Sequence, residues 1–340
     1  MAYHLFYFAI DAGRVPGVPL VDDIGLALRH GYLGVELFFL ISGYVIFFSA
    51  KDRTPAQFAS SRMLRLYPAF LFCMTVTAVV KLFYPIEAGA LYTSQVVTNL
   101  TMMPRLFGRT EIDGSYWTLA FELCFYALVL IMLLLHQRER LEKMFLIWPV
   151  IILLAAPFGS TGMPLLGAYY SYFAAGALFA MYKIKRSNWI VMSLLICFYD
   201  SLHAYYGNKS PADVTPMVNI FAISAFYLFM CLVNNSRIAI MRLPCAKFFG
   251  SLTYPVYLIH QVIGTVIIAK FANESNKTVV ISLVMLGMLA AAAAIHYFIE
   301  VRMHAAWRDW ANRFVGQPVS KLDAVTQQIR ASLFRFGRIP

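Results

Sequence analysis

Long apolar runs recur along this chain, most of them near or above the length of about 18 residues that carries a helix across a bilayer core of about 30 Å. They fall at roughly 1–10, 33–50, 64–83, 116–135, 144–158, 164–182, 188–206, 216–233, 252–269 and 278–300, which makes about ten spans. The first and fifth are short, and Pro149 and Pro157 are candidate kinks in the fifth. Backbone polar groups in lipid must be satisfied within the segment, so such runs fold as helices. Composition agrees: 60% of the 340 residues are hydrophobic and 13% charged, with mean hydropathy +0.67, whereas a soluble domain is about a quarter charged. The fold class is all-α, a polytopic membrane helix bundle.

Lysine and arginine set its orientation, because cytoplasmic loops collect them. Placing the loop after the second run inside gathers Lys51, Arg53, Arg62 and Arg65 there. Strict alternation then brings Arg138, Arg140, Lys143, Lys183, Lys185, Arg186, Arg237, Arg242 and Lys247 to the same side. The tail adds Arg302, Arg308, Arg313, Lys321, Arg330, Arg335 and Arg338. Both termini are expected in the cytoplasm, with residues 1–302 as the membrane domain and 303–340 as a basic tail, amphipathic on the inner leaflet or disordered. This asymmetry explains the net charge of +11, so membrane lipid is the expected surface partner and nucleic acid is not. The five cysteines, Cys73, Cys124, Cys197, Cys231 and Cys245, have no CxxC spacing and read as buried, reduced thiols. The first ten residues lack the basic region of a signal peptide. They cover about 15 Å of helix, and are expected to be a half-span or the remainder of a longer helix.

An ionisable residue at membrane depth marks a functional site by default. Glu36 lies in the second run with Gly43 on its face, where a glycine lets another helix approach. Ser115, Thr118, Glu122 and Tyr126 form one stripe of the fourth run, just after Asp113. Tyr257, His260, Gln261 and Gly264 form another in the ninth. Arg62 and Arg65, three apart at the inner edge, suit phosphate. Each group also has a plain structural reading: a carboxylate paired in the bundle, a hydrogen-bonded interior histidine, a basic membrane anchor. His296, Glu300 and His304 have metal-ligand spacing. With no second histidine-rich segment, a Glu300 salt bridge to an arginine is expected there and no metal.

Together these segments resemble the acyltransferase-3 family, integral membrane enzymes that O-acylate glycans and related acceptors. The resemblance rests on Gly34-Val35-Glu36-Leu37-Phe38-Phe39, Ile41-Ser42-Gly43-Tyr44, Arg62-Met63-Leu64-Arg65-Leu66-Tyr67-Pro68, Tyr116-Trp117-Thr118-Leu119 with Glu122, Thr253-Tyr254-Pro255-Val256-Tyr257-Leu258-Ile259-His260 and Tyr297-Phe298-Ile299-Glu300. Glu36 stands where the family more often has aspartate, and Arg302 where a proline commonly follows the glutamate. His4 falls where the family has a histidine preceded by a basic residue, which favours a helix whose first part lies before this sequence.

The resemblance implies an acyl-coenzyme A co-substrate, usually acetyl-coenzyme A, and no permanently bound cofactor. It also implies a glycan or small-molecule acceptor and a bacterial inner-membrane location. Arg62 and Arg65 would hold the donor's phosphates at the inner face. From Glu36 to Ala50 is ~21 Å of helix, a length the pantetheine arm could thread. His4 would be the base, oriented by Glu36 or Glu122, with His260 as the alternative base and a covalent acyl-histidine relay as an alternative route. Asp113, Tyr116, Trp117 and Tyr257 would meet the acceptor, the aromatic faces suiting a sugar ring. The rival readings are a proton-coupled transporter or flippase and a non-catalytic relative that binds acyl-coenzyme A.

Overall fold

The computed structural model describes residues 1–18, 22–84, 91–159, 163–207, 216–235 and 245–336. Among the described residues every regular element is helical. Helix α1 is a π-turn over Tyr3–Phe8 continued by Ala9–Asp11. Helix α2 (Asp23–Leu28) starts where the Asp22 carboxylate accepts from the Gly25 amide, and a 3-10 turn leads from it into α3 (Gly34–Lys51). There follow α4 (Pro55–Phe83), α5 (Thr93–Asn99), α6 (Trp117–Leu134), α7 (Arg138–Ala155), α8 (Tyr169–Ile184), α9 (Asn188–Gly207) and α10 (Pro216–Asn234). The chain continues with α11 (Ala246–Ile259), α12 (Val262–Phe271) and α13 (Lys277–Ile295), the last prolonged by a π-turn over His296–Arg302. Helices α14 (His304–Ala311) and α15 (Gln317–Phe336) form the tail.

Every apolar run of the sequence contains helix, although the sixth becomes helical only at Tyr169, and two further details differ from expectation. The ninth run is two helices, α11 and α12, bent by 68° at His260–Gln261. Helix α4 begins at Pro55, so Arg62 and Arg65 sit inside a long helix and not in a loop before one. Six described helices are long and apolar enough to cross a membrane, or seven if the bent pair makes one span. Val279, Leu283 and Leu286 of α13 are each more than 60% exposed, an apolar surface that suits lipid and would be a liability in water. The protein is a multi-pass membrane protein. Of the cations counted toward the inner side, Arg237, Arg242 and Arg338 lie outside the described residues. No cysteine is in a disulfide; Cys73 and Cys197 are buried as expected, whereas Cys231 and Cys245 are exposed.

The described residues form two compact units. The first gathers residues 1–32, 65–120 and 241–307; the second gathers 33–64, 121–240 and 308–340. In the second, α8 is buried at every position from Tyr170 to Met181, so it is surrounded by protein. It crosses α3 at backbone contact. A β-carbon on Gly43 would stand 2.0 Å from the Phe173 carbonyl oxygen, and one on Gly176 would stand 2.0 Å from that of Leu40. Small residues allow this approach between membrane helices, and it places Phe39 against Phe173 at 4.5 Å between ring centres. In the first unit, the α11–α12 break packs against α1 and the segment leading into α6. A β-carbon on Gly264 would meet Leu5 at 2.7 Å, and one on Gly114 would meet the Gln261 amide at 2.8 Å.

Candidate functional site

The break between α11 and α12 brings two of the candidate residues of the first unit together. His260 caps α11, and its Nδ1 lies 2.8 Å from the Tyr257 carbonyl and 3.1 Å from that of Val256. A carbonyl oxygen only accepts, so His260 Nδ1 carries the hydrogen. Its Nε2 lies 2.8 Å from His4 Nδ1. With both rings neutral, His260 Nε2 accepts from His4 Nδ1–H, and the lone pair of the dyad resides on His4 Nε2. The carbonyls of one helical turn thus fix two tautomers in series, the role that a hydrogen bond to the far ring nitrogen ordinarily plays for a basic histidine. His260 is 1% exposed, while His4 is half-buried.

Asp113, with no exposed surface, holds this break in place. One carboxylate oxygen accepts from the Ser115 amide at 2.8 Å and its hydroxyl at 2.7 Å, and the other accepts from the Val262 amide at 3.0 Å. It therefore caps the turn before α6 and the first turn of α12 at once. Burial pushes its pKa up, while the bonds from Ser115 and Val262 and the charge of Lys81 act in the opposite direction. Tyr116 is 2% exposed and donates to the Leu258 carbonyl at 2.9 Å. The Tyr257 hydroxyl sits against the Ser115 carbonyl and 2.5 Å from Thr118 Oγ1. Of the four residues expected to meet an acceptor, Asp113, Tyr116 and Tyr257 are thus engaged in holding α11 and α12 to the start of α6. Trp117 is half-buried.

Both candidate carboxylates belong to the second unit. Glu36 is 1% exposed in the first turn of α3, on the face that continues through Leu40 and Gly43 toward α8. Glu122 is 5% exposed; its Oε1 accepts from the Tyr126 hydroxyl and from Ser42 at 3.3 Å. Arg62 extends this group: its guanidinium lies 5.8 Å from the Tyr126 ring centre and 6.0 Å from that of Phe58. In the first unit Arg65 is exposed and stacks over Tyr254 at 5.3 Å, while the Tyr254 hydroxyl donates to the Leu66 carbonyl. The arginines expected to act alike thus have different settings, Arg62 beside a buried carboxylate–tyrosine pair and Arg65 on the surface. His260, and not a carboxylate, is the residue that hydrogen-bonds His4.

Among the described residues Glu300 pairs with His296 at 2.6 Å, one turn earlier, and not with the arginine expected. Asp200 of α9, not singled out from the sequence, is a buried carboxylate, 6% exposed, that accepts from Ser171 of α8 at 3.1 Å, with Ser201 and Tyr227 bonded at 3.3 Å beside it. A carboxylate inside the seventh apolar run was the available signal, the same kind that marked Glu36.

The chain is a multi-pass helical membrane protein with His4, half-buried, hydrogen-bonded to the buried His260 at a helix break. Residues 1–297 match the model of the acyltransferase-3 family, described as an acyltransferase domain, and the chain belongs to that family. It is a membrane acyltransferase by family. No curated protein and no solved structure matches the chain.

Proposed function

We propose that this protein moves an acyl group, acetyl in the first instance, from acyl-coenzyme A at the cytoplasmic face of the bacterial inner membrane to a hydroxyl of a glycan or related exported acceptor. The ten-span topology with both termini inside belongs to the same proposal, as does the division into a membrane domain over 1–302 and a tail over 303–340. The observation that carries the reading is the dyad: an imidazole nitrogen with a free lone pair, His4 Nε2, whose far nitrogen is held by His260.

Acyl transfer to a hydroxyl requires a base for the proton released as oxygen attacks. His4 Nε2 takes that proton while the acceptor oxygen bonds to the thioester carbonyl carbon. His260 Nε2, accepting from His4 Nδ1–H, stabilises the imidazolium so formed, as an oriented partner does in a catalytic triad. Collapse of the tetrahedral intermediate breaks the carbon–sulfur bond, and the proton passes from His4 to the departing thiolate. The ester and free coenzyme A are the products, and no cofactor stays bound. Arg65, exposed with a planar guanidinium, suits a donor phosphate; Arg62 lies beside Tyr126 in the second unit. Trp117 offers its ring to the acceptor, with Asp113, Tyr116 and Tyr257 shaping the wall behind it. Glu36 and Glu122 are the buried carboxyl groups that the second unit contributes to the candidate residues.

The test is release of free thiol from acetyl-coenzyme A by the purified protein in nanodiscs, across a panel of glycan acceptors. Acceptor-dependent release is expected, together with acetyl ester on the acceptor. A protein that binds acetyl-coenzyme A without releasing thiol with any acceptor would support the non-catalytic reading.

A further inference from the structure

Gln261 sits at the α11–α12 break and has no part in the dyad. Its side chain is 95% buried, and its Oε1 accepts no hydrogen bond among the described residues. The surroundings are built to hold it. Gly114 leaves room for the carboxamide, since a β-carbon there would lie 2.8 Å from Nε2. Asp113 pins the next residue, Val262, by its amide, and Gly264 lets α12 close on Leu5 of α1. The carboxamide thus packs against Gly114, one residue from the histidine that hydrogen-bonds His4.

A buried acceptor left unpaired costs about 1–3 kcal/mol, and such a group in a native protein calls for an explanation. We propose that Gln261 is a substrate-positioning residue: its Oε1 receives a neutral hydrogen-bond donor of a bound substrate beside His4. Two substrates of the proposed reaction carry such donors, the acceptor through its hydroxyls and acyl-coenzyme A through the two amide N–H groups of its pantetheine arm. A buried amide oxygen suits either, because it has no charge to desolvate and rejects a ligand that lacks the donor.

This inference rests on the acyl-transfer reading, and Gln261→Leu tests it separately. Leucine keeps the bulk and removes the unpaired oxygen. In the wild type, thiol release must first be seen; its absence would refute the acyl-transfer reading and leave this residue without a reaction. Given turnover, Gln261→Leu should raise the KM of one substrate about tenfold while the unliganded protein melts at the same temperature or higher. A rise confined to acyl-coenzyme A assigns the donor to pantetheine, and one confined to the acceptor assigns it to a hydroxyl. Gln261→Glu, which retains an acceptor oxygen, should recover part of the loss. An unchanged KM for both substrates would overturn the proposal. So would a lower melting temperature for Gln261→Leu, because the carboxamide would then be serving the fold.

Discussion

Tyr126 and Arg62 are the side chains through which a buried carboxylate in lipid becomes tolerable. Glu122 takes the Tyr126 hydroxyl and Ser42, and Arg62 lies over the Tyr126 ring. Removing one partner of such a group leaves its charge under-satisfied, at a cost of about 1–3 kcal/mol. Tyr126→Phe should therefore lower the melting temperature in detergent by several degrees. The two arginines should separate in the same assay. Arg62→Ala should destabilise the protein, whereas Arg65→Ala should leave melting unchanged and raise the KM for acyl-coenzyme A about tenfold. Equal behaviour of the two variants would contradict the division of roles. Sequence alone marked Arg62 and Arg65 as one cluster because spacing records the helical face and not which side chain finds a buried partner. The same holds for Asp113: its type and position were legible, but not that both carboxylate oxygens would be used as caps.

At the scale of elements, the α3–α8 crossing is the most demanding contact. Its two glycines would each bring a β-carbon to 2.0 Å from a carbonyl oxygen of the facing helix, and neither backbone can yield without separating the pair. Gly43→Leu or Gly176→Leu should cost more than the about 1–3 kcal/mol of ordinary overpacking, seen as loss of monodisperse protein. Gly287 of α13 has nothing within 4 Å of a β-carbon, so Gly287→Ala should stay within about 1 kcal/mol of neutral. Gly43 announced this contact by sharing a helical face with Glu36. Its partner Gly176 could not be paired with it from sequence, because packing partners depend on three-dimensional neighbours. The α11–α12 break was also hidden: Pro255 lies inside α11, and the bend comes after it, where Asp113 from a distant segment supplies the cap.

At the scale of the molecule, topology turns on helices that fall short of a full span. Helix α8, with 16 residues, is about 24 Å long, less than the hydrocarbon core. Because it is wrapped in protein from Tyr170 to Met181, its length need not match the lipid. In the proposed ten-span topology α8 and α9 both cross, which would put Lys185 between them inside and Glu274, between α12 and α13, outside. In intact cells, a membrane-impermeant maleimide should label Glu274→Cys and should reach Lys185→Cys only after lysis. Labelling of Lys185→Cys from outside would refute the ten-span arrangement. The apolar runs made the membrane class and most helices readable, because lipid imposes length and composition on every span. Short helices such as α2 and α5 carry no such constraint and left no comparable trace.

In the proposed reaction the dyad has an order, with His4 as base and His260 as the residue that orients it. The turnover number for thiol release in nanodiscs, measured for wild type, His4→Ala and His260→Ala with acetyl-coenzyme A and a productive acceptor, tests it most directly. Loss of the base should lower kcat by a factor on the order of 100–10,000, and loss of the orienting ring by distinctly less, with both variants melting as folded proteins. The reverse order, with His260→Ala inactive and His4→Ala retaining turnover, would contradict it.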